Sequence, residues 1–250
     1  MTGEESPRAA VTGLIGLAAS AEQELLAGPQ QAAGSSAKLW AAAPLVAHNT
    51  EFRRQQVQRL RAVRCGQTPP EFAEVDHASG ALYAELCAQP ADAVARDSWR
   101  VAGELAEEVR LLSGEDLLDP SRNPWLRGRQ LWLQVVVRGF WHPMGHLGQY
   151  YLGHGQALKA VALADLAVAA ARYLDAPGPA QGMASYNLAC ARARTGHLDQ
   201  AAAALADAVT LNPDVRANAL RDNDLASIRT MDQVAALLGG AVSPRTEAQR

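Results

Sequence analysis

A chain of 250 residues with 48% hydrophobic content can bury a sizeable core, as one large domain or two small ones. A formal charge of −3 and the lack of any Lys/Arg run give a nucleic-acid partner no footing. No apolar run approaches the ~20 residues needed to cross a bilayer, and no charged start precedes an apolar signal core, so a cytoplasmic protein without membrane contact is expected.

The residues 1–7 read as a polar tail. Arg8 to Leu26 predicts a helix, with Val11, Leu14, Ile15, Ala18 and Leu25 on one apolar stripe. Gly28-Pro29 stops it, and Gln30–Ala37 is a small, polar connection. A second helix is expected from Ala41 to Val63, turning Leu45, His48, Phe52, Gln55 or Gln56, and Leu60 inward. Arg53, Arg54, Arg59 and Arg61 suit its outer side. A third helical region begins near Phe72, breaks at Gln89-Pro90 and resumes from Ala91 to Leu112. Its core candidates are Val94, Val101, Leu105, Val109 and Leu112.

Ser113-Gly114, Asp119-Pro120 and Asn123-Pro124 mark a longer loop. Trp125 to Tyr151 is the fourth helical element. Pro143 lies inside it, removing one backbone donor and clashing with the carbonyl four residues earlier, so a bend is expected there. Gly139 leaves room for that bend. No period-two strand pattern appears, and the expected fold class is all-α.

From Gly153 the composition turns Ala-rich. Leu188, Ala189, Gly196, Ala201, Ala208 and Pro213 fall in the register of a 34-residue tetratricopeptide helix–turn–helix, with Arg192 and Leu205 at its usual aromatic positions. Leu147, Gly148, Tyr151, Gly155, Ala160 and Ala167 repeat the pattern more weakly. Val215–Leu220 and Leu225–Leu238 would close the array, since one repeat cannot bury its own faces. The expected division is a bundle over 8–155, repeats over 156–240 and a flexible tail over 241–250.

The chemistry-bearing stretch is Trp141-His142-Pro143-Met144-Gly145-His146. Imidazoles at i and i+4 share a helix face, with Cβ atoms about 5–6 Å apart, and can bind one divalent ion. A third ligand must come from elsewhere, and His48, set among apolar neighbours, is the candidate. Asn49 and Glu51 flank it and could orient an imidazole or, for Glu51, act as base; a solvated helix charge is the other reading of Glu51. Trp40, Trp141 and Tyr150 are candidate pocket walls or core, and Glu51 and Tyr150 are the candidate catalytic side chains. His77, His154 and His197 lack a partner at ligand spacing and read as surface residues. Cys65, Cys87 and Cys190, odd in number and without CxxC pairing, read as free thiols in a reducing compartment. No phosphate cradle, nucleophile elbow or HExxH is present.

Leu39-Trp40 with His48, the loop Asp116–Arg129, and Trp141 to His146 together resemble the DinB superfamily, most closely its ClbS/DfsB-like branch, over about residues 8–155. The resemblance implies an up-down four-helix bundle in which His48, His142 and His146 hold zinc or nickel. It also implies a small electrophilic substrate, attacked by a low-molecular-weight thiol such as mycothiol in S-transfer or isomerisation, or by water in a detoxification or self-resistance hydrolysis. Pro143 between the two histidines and the tetratricopeptide-like half depart from the usual pattern. Two functions are therefore expected to compete. One is a metal-dependent enzyme; the other is a non-catalytic scaffold that binds a protein or peptide through its repeats. Either is compatible with a homodimer.

Overall fold

The computed structural model describes residues 7–28, 40–72 and 80–239, and every regular element among them is helical. The expected connection at 30–37, most of the N-terminal tail, the C-terminal tail, Leu39 and His77 lie outside the described residues. None of the described helices is long and apolar enough to cross a membrane. The chain divides into two compact units, Met1–Asp175 and Ala176–Arg250, so the division falls twenty residues beyond the break expected at 155.

In the first unit, α1 (Pro7–Ala27), α2 (Ala42–Arg64) and α4 (Ala91–Leu111) pack on one another, and a segment running from Leu131 to Gly153 packs on α1 and α2. The periodic positions explain why. Val11, Ile15, Ala18 and Leu25 of α1 are buried, as are Val94, Val101, Leu105 and Val109 of α4. Burying such side chains contributes about 1.5–3 kcal/mol each, which is what holds these helices together. Short α3 (Gly80–Cys87) lies against α2, and α8 (Ala157–Tyr173) lies against the end of the Leu131–Gly153 segment.

The loop after α4 contains a helical turn, α5 (Gly114–Leu118), capped reciprocally by Ser113 and Asp116. The fourth helical element starts at Leu131, not Trp125. Pro124 opens only a 3₁₀ turn, and Arg127 and Gly128 then take positive φ of 53° and 81°, which no α-helix can continue.

That element is also not one helix. It reads α6 (Leu131–Val136), a π turn over Val137–Trp141, and α7 (His142–Gly153). The bend expected at Pro143 is thus taken up just before it, where the His142 N–H reaches the Val137 carbonyl. Single π turns are commonly found at functional sites. Gly139 sits in this turn for a packing reason. A Cβ there would lie 2.9 Å from Ile15 Cγ1 and 3.2 Å from Leu105 Cδ2, so α1 and α4 close on bare backbone. Gly139→Ala is therefore expected to lower stability by about 1–3 kcal/mol in denaturant titration, because overpacking outweighs the better helix propensity of alanine. A neutral result would show that Ile15 can rotate away.

The second unit is a hairpin of α9 (Gly178–Arg194) and α10 (Leu198–Leu211), followed by α11 (Val215–Ala219) and α12 (Asp232–Gly239). Gly196 turns the hairpin at φ +80°, and Gly155 does the same between α7 and α8 at φ +72°. Ala189, Ala201, Leu205 and Ala208 are fully buried. Gly182 allows the closest approach, since a Cβ would fall 2.5 Å from that of Asn212. The helix expected from Leu225 to Leu238 is broken by turns over 226–231, and only Asp232–Gly239 is helical at its end.

Candidate metal centre

Three imidazoles converge in the first unit. His48 comes from the N-terminal half of α2, while His142 and His146 come from the first turns of α7, where the i, i+4 spacing aligns them. Ring centroids stand 5.3 Å apart for His48–His142, 5.0 Å for His48–His146 and 4.4 Å for His142–His146. One nitrogen from each lies within 4.8 Å of the other two, so the group could hold a metal ion. On a tetrahedral ion with about 2.0–2.1 Å bonds, ligand nitrogens sit roughly 3.3 Å apart, which asks for a modest inward turn of the rings. Neutral nitrogen donors without a carboxylate suit a borderline-soft divalent ion better than magnesium or calcium.

The surroundings are aromatic. Trp40 meets His48 edge-on at 5.3 Å, and Phe52 stacks on His142 at 4.3 Å. His48 is 4% exposed; His142 and His146 are half-buried. At the α7 end, Leu25, Leu45, Val46, Leu147, Tyr150 and Tyr151 form a continuous apolar cluster that seats α2 against α7.

A buried polar network fixes the other side. Pro143 has no N–H to give the Gly139 carbonyl, and that orphaned oxygen instead accepts two long bonds from Arg53, 3.4 Å from Nε and 3.5 Å from Nη2. The same guanidinium donates to Glu22 Oε2 on α1 at 2.5 Å, with both side chains fully buried. Glu22 also accepts from Asn49 Nδ2 at 2.9 Å and from Ser98 Oγ at 2.8 Å. Arg53, expected on the outside of α2, is therefore a core residue, and Asn49 serves Glu22 rather than an imidazole. The network ties α1, α2 and α4 to the π turn that precedes both histidines.

The remaining candidates fall in different places. Glu51 is exposed, accepts from Arg54 Nε at 3.1 Å, and lines a cavity of about 200 Å³ together with His48 and Phe52. The cavity runs between α2, α3 and α4, where Glu85, Gln89 and Asp97 also face it, and of the three imidazoles it touches only His48. Tyr150 belongs to the apolar cluster, and burial pushes its phenol up, so it stays protonated. Trp141 donates to the Ala167 carbonyl of α8 at 3.3 Å. His154, expected at the surface, is half-buried: it stacks on Tyr150 at 4.0 Å and its Nδ1 lies 2.8 Å from the Tyr150 carbonyl. His197 is exposed, as expected for the hairpin turn.

The cysteines are free, Cys65 and Cys87 exposed and Cys190 buried. Burial and the neighbouring Asp222 and Asp224 carboxylates push the Cys190 thiol far above its ordinary range. A thiol-titrating reagent is thus expected to modify two cysteines rapidly in the native chain, and the third only after unfolding. Rapid modification of Cys190 would contradict this placement.

These features define the class: an all-helical protein with a three-histidine cluster able to hold a metal ion. Comparison with family models, curated proteins and solved structures finds no match for the chain.

Proposed function

We propose that the first unit is a DinB-like four-helix bundle and that the chain is a divalent-metal-dependent enzyme acting on a small electrophilic compound. The observation that supports this most is the convergence of three imidazole nitrogens from α2 and α7 to within 4.8 Å. His48, His142 and His146 would hold the ion, zinc or nickel, and leave a position open for a further ligand. Such an ion supplies Lewis acidity, either activating water for hydrolytic detoxification or holding a thiolate for S-transfer or isomerisation, with mycothiol as a candidate thiol.

The chain's own side chains divide the remaining work. Trp40 and Phe52 keep water from two imidazoles, and the cavity beside His48 offers room for a small substrate. Glu51 faces that cavity, where its ion pair with Arg54 holds the carboxylate in place as a candidate base. Tyr150, one turn past His146, keeps its proton because burial pushes its phenol up, so any part it plays is as a hydrogen-bond donor and not as a base.

The α9–α10 hairpin we read as tetratricopeptide-like, a surface for a protein or peptide partner. Native mass spectrometry of the purified chain tests the enzyme reading by reporting metal and subunit count together. A chain that binds no divalent ion would leave the scaffold reading in its place.

A further inference from the structure

α4 is packed on two sides. Toward α2, its Asp97, Glu104 and Glu108 meet Arg54, Arg61 and Arg64. Toward α1, the Ala95 carbonyl accepts from Gln23 Nε2 at 3.0 Å, and Ala102 and Ala106 are buried. Between those sides Asp92, Arg96, Trp99, Gly103, Glu107 and Arg110 are all exposed. At about 100° per residue they fall within one arc of roughly 80°, so they form a single outward stripe along the helix.

Trp99, at the middle of that stripe, is 56% exposed. Tryptophan is among the side chains most enriched at the centres of protein interfaces. Gly103 follows one turn later. A glycine inside a helix is unfavourable relative to alanine, because it gives up more chain freedom and packs nothing. The fold itself does not ask for it: a Cβ at Gly103 would meet nothing within 4 Å among the described residues. A large apolar knob and an open notch therefore lie side by side.

The charges are ordered to match. Arg96 pairs with Asp92 at 2.7 Å near the start of the helix, and Arg110 with Glu107 at 2.8 Å near its end. Val101 is the midpoint of α4. A two-fold axis through it lays a second copy of the helix antiparallel on the first. Asp92 of each copy then faces Arg110 of the other, Trp99 faces Gly103, and Arg96 comes within one residue of facing Glu107. Acid meets base and knob meets notch, which is the self-complementarity that a two-fold contact requires.

We propose that the outward face of α4 is the interface of a homodimer, with Trp99 of each copy seated over Gly103 of the other. The overlap is roughly 30 Å of helix, at the low end of specific interface sizes, so the dimer is reversible. The contact does not involve the three histidines and stands whether or not they hold an ion.

Sedimentation of the full-length chain over about 1–100 μM tests this, and a monomer–dimer equilibrium is expected. Trp99→Ala should weaken association roughly tenfold or more. Gly103→Gln fills the notch where the monomer has room, so it should weaken the dimer by a similar factor with Tm at or above wild type. Charge reversal fixes the orientation. Asp92→Arg should weaken association roughly three- to tenfold by setting arginine against arginine, and Asp92→Arg with Arg110→Asp should restore it to within about twofold. Leu158→Ala, at a side chain 79% exposed on α8, should change nothing. Should Trp99→Ala fail to fold, Gly103→Gln decides alone. A chain that stays monomeric throughout, or a dimer that neither Trp99→Ala nor Gly103→Gln weakens, overturns the proposal. So does a double charge variant no tighter than Asp92→Arg.

Discussion

Purified wild-type chain is expected to carry about one divalent ion per chain, and His142→Ala to carry almost none. His142 is one corner of a nearly even triangle of rings, 4.4 Å from His146 and 5.3 Å from His48 by ring centroid. Its loss leaves two donors, and two neutral imidazoles seldom hold an ion against chelation. Loss of even an indirect supporting group commonly costs ten- to a hundredfold in affinity, and loss of a ligand should cost roughly a hundredfold or more. Binding that favours the native state also stabilises it, by about 2.7 kcal/mol at a ligand concentration a hundred times Kd. A chelator should therefore lower the Tm of the wild type and leave that of His142→Ala unchanged. His154→Ala is the control, because that ring is held on Tyr150 and lies outside the cluster. Equal metal content in wild type and His142→Ala would remove the basis of the proposed function.

The second large effect belongs to Arg53→Met. Methionine fills much of the arginine volume but leaves the Glu22 carboxylate fully buried without its cation, and the Gly139 carbonyl without a donor. Breaking a buried pair from one side costs about 3–5 kcal/mol. For a chain of this size that is a fall of roughly 10 °C in Tm. The double variant Glu22→Gln with Arg53→Met should recover only part of the loss. Asn49 and Ser98 still need the acceptor that Glu22 provided, and Pro143 still leaves its carbonyl orphaned. A Tm within a degree or two of wild type for Arg53→Met would mean that water replaces the guanidinium. Because the network ends at the π turn, metal affinity is expected to weaken along with stability.

Helix positions were legible because periodicity is a local property. Val11, Ile15, Val94, Leu105 and Val109 were identifiable as core from spacing alone, and each is buried. The His142–His146 pair was legible for the same reason, since four residues of helix set its geometry whatever else surrounds it. The inward turn of His48 could also be read, from the apolar residues that share its stripe.

Local spacing failed where a residue's fate hangs on a distant partner. Arg53 reads as a surface charge by type, yet α2 is buried almost all round at this turn: Phe52, Arg53, Gln55, Gln56 and Val57 are all inside. What admits the charge is Glu22, thirty-one residues away on α1, together with a carbonyl that Pro143 orphans on a third segment. The π turn is of the same kind. Pro143 announced a disturbance, but its position upstream follows from the packing of Gly139 against Ile15 and Leu105.

The sequence by itself determined an all-helical chain, the buried stripes of its helices and the alignment of two imidazoles, because each depends on residues within a turn or two. Only the tertiary structure decided that His48 lies 5.0–5.3 Å from that pair and that Arg53 is neutralised by Glu22 in the core. Those outcomes depend on which surfaces meet, and neither helix periodicity nor residue type encodes that meeting in any single segment.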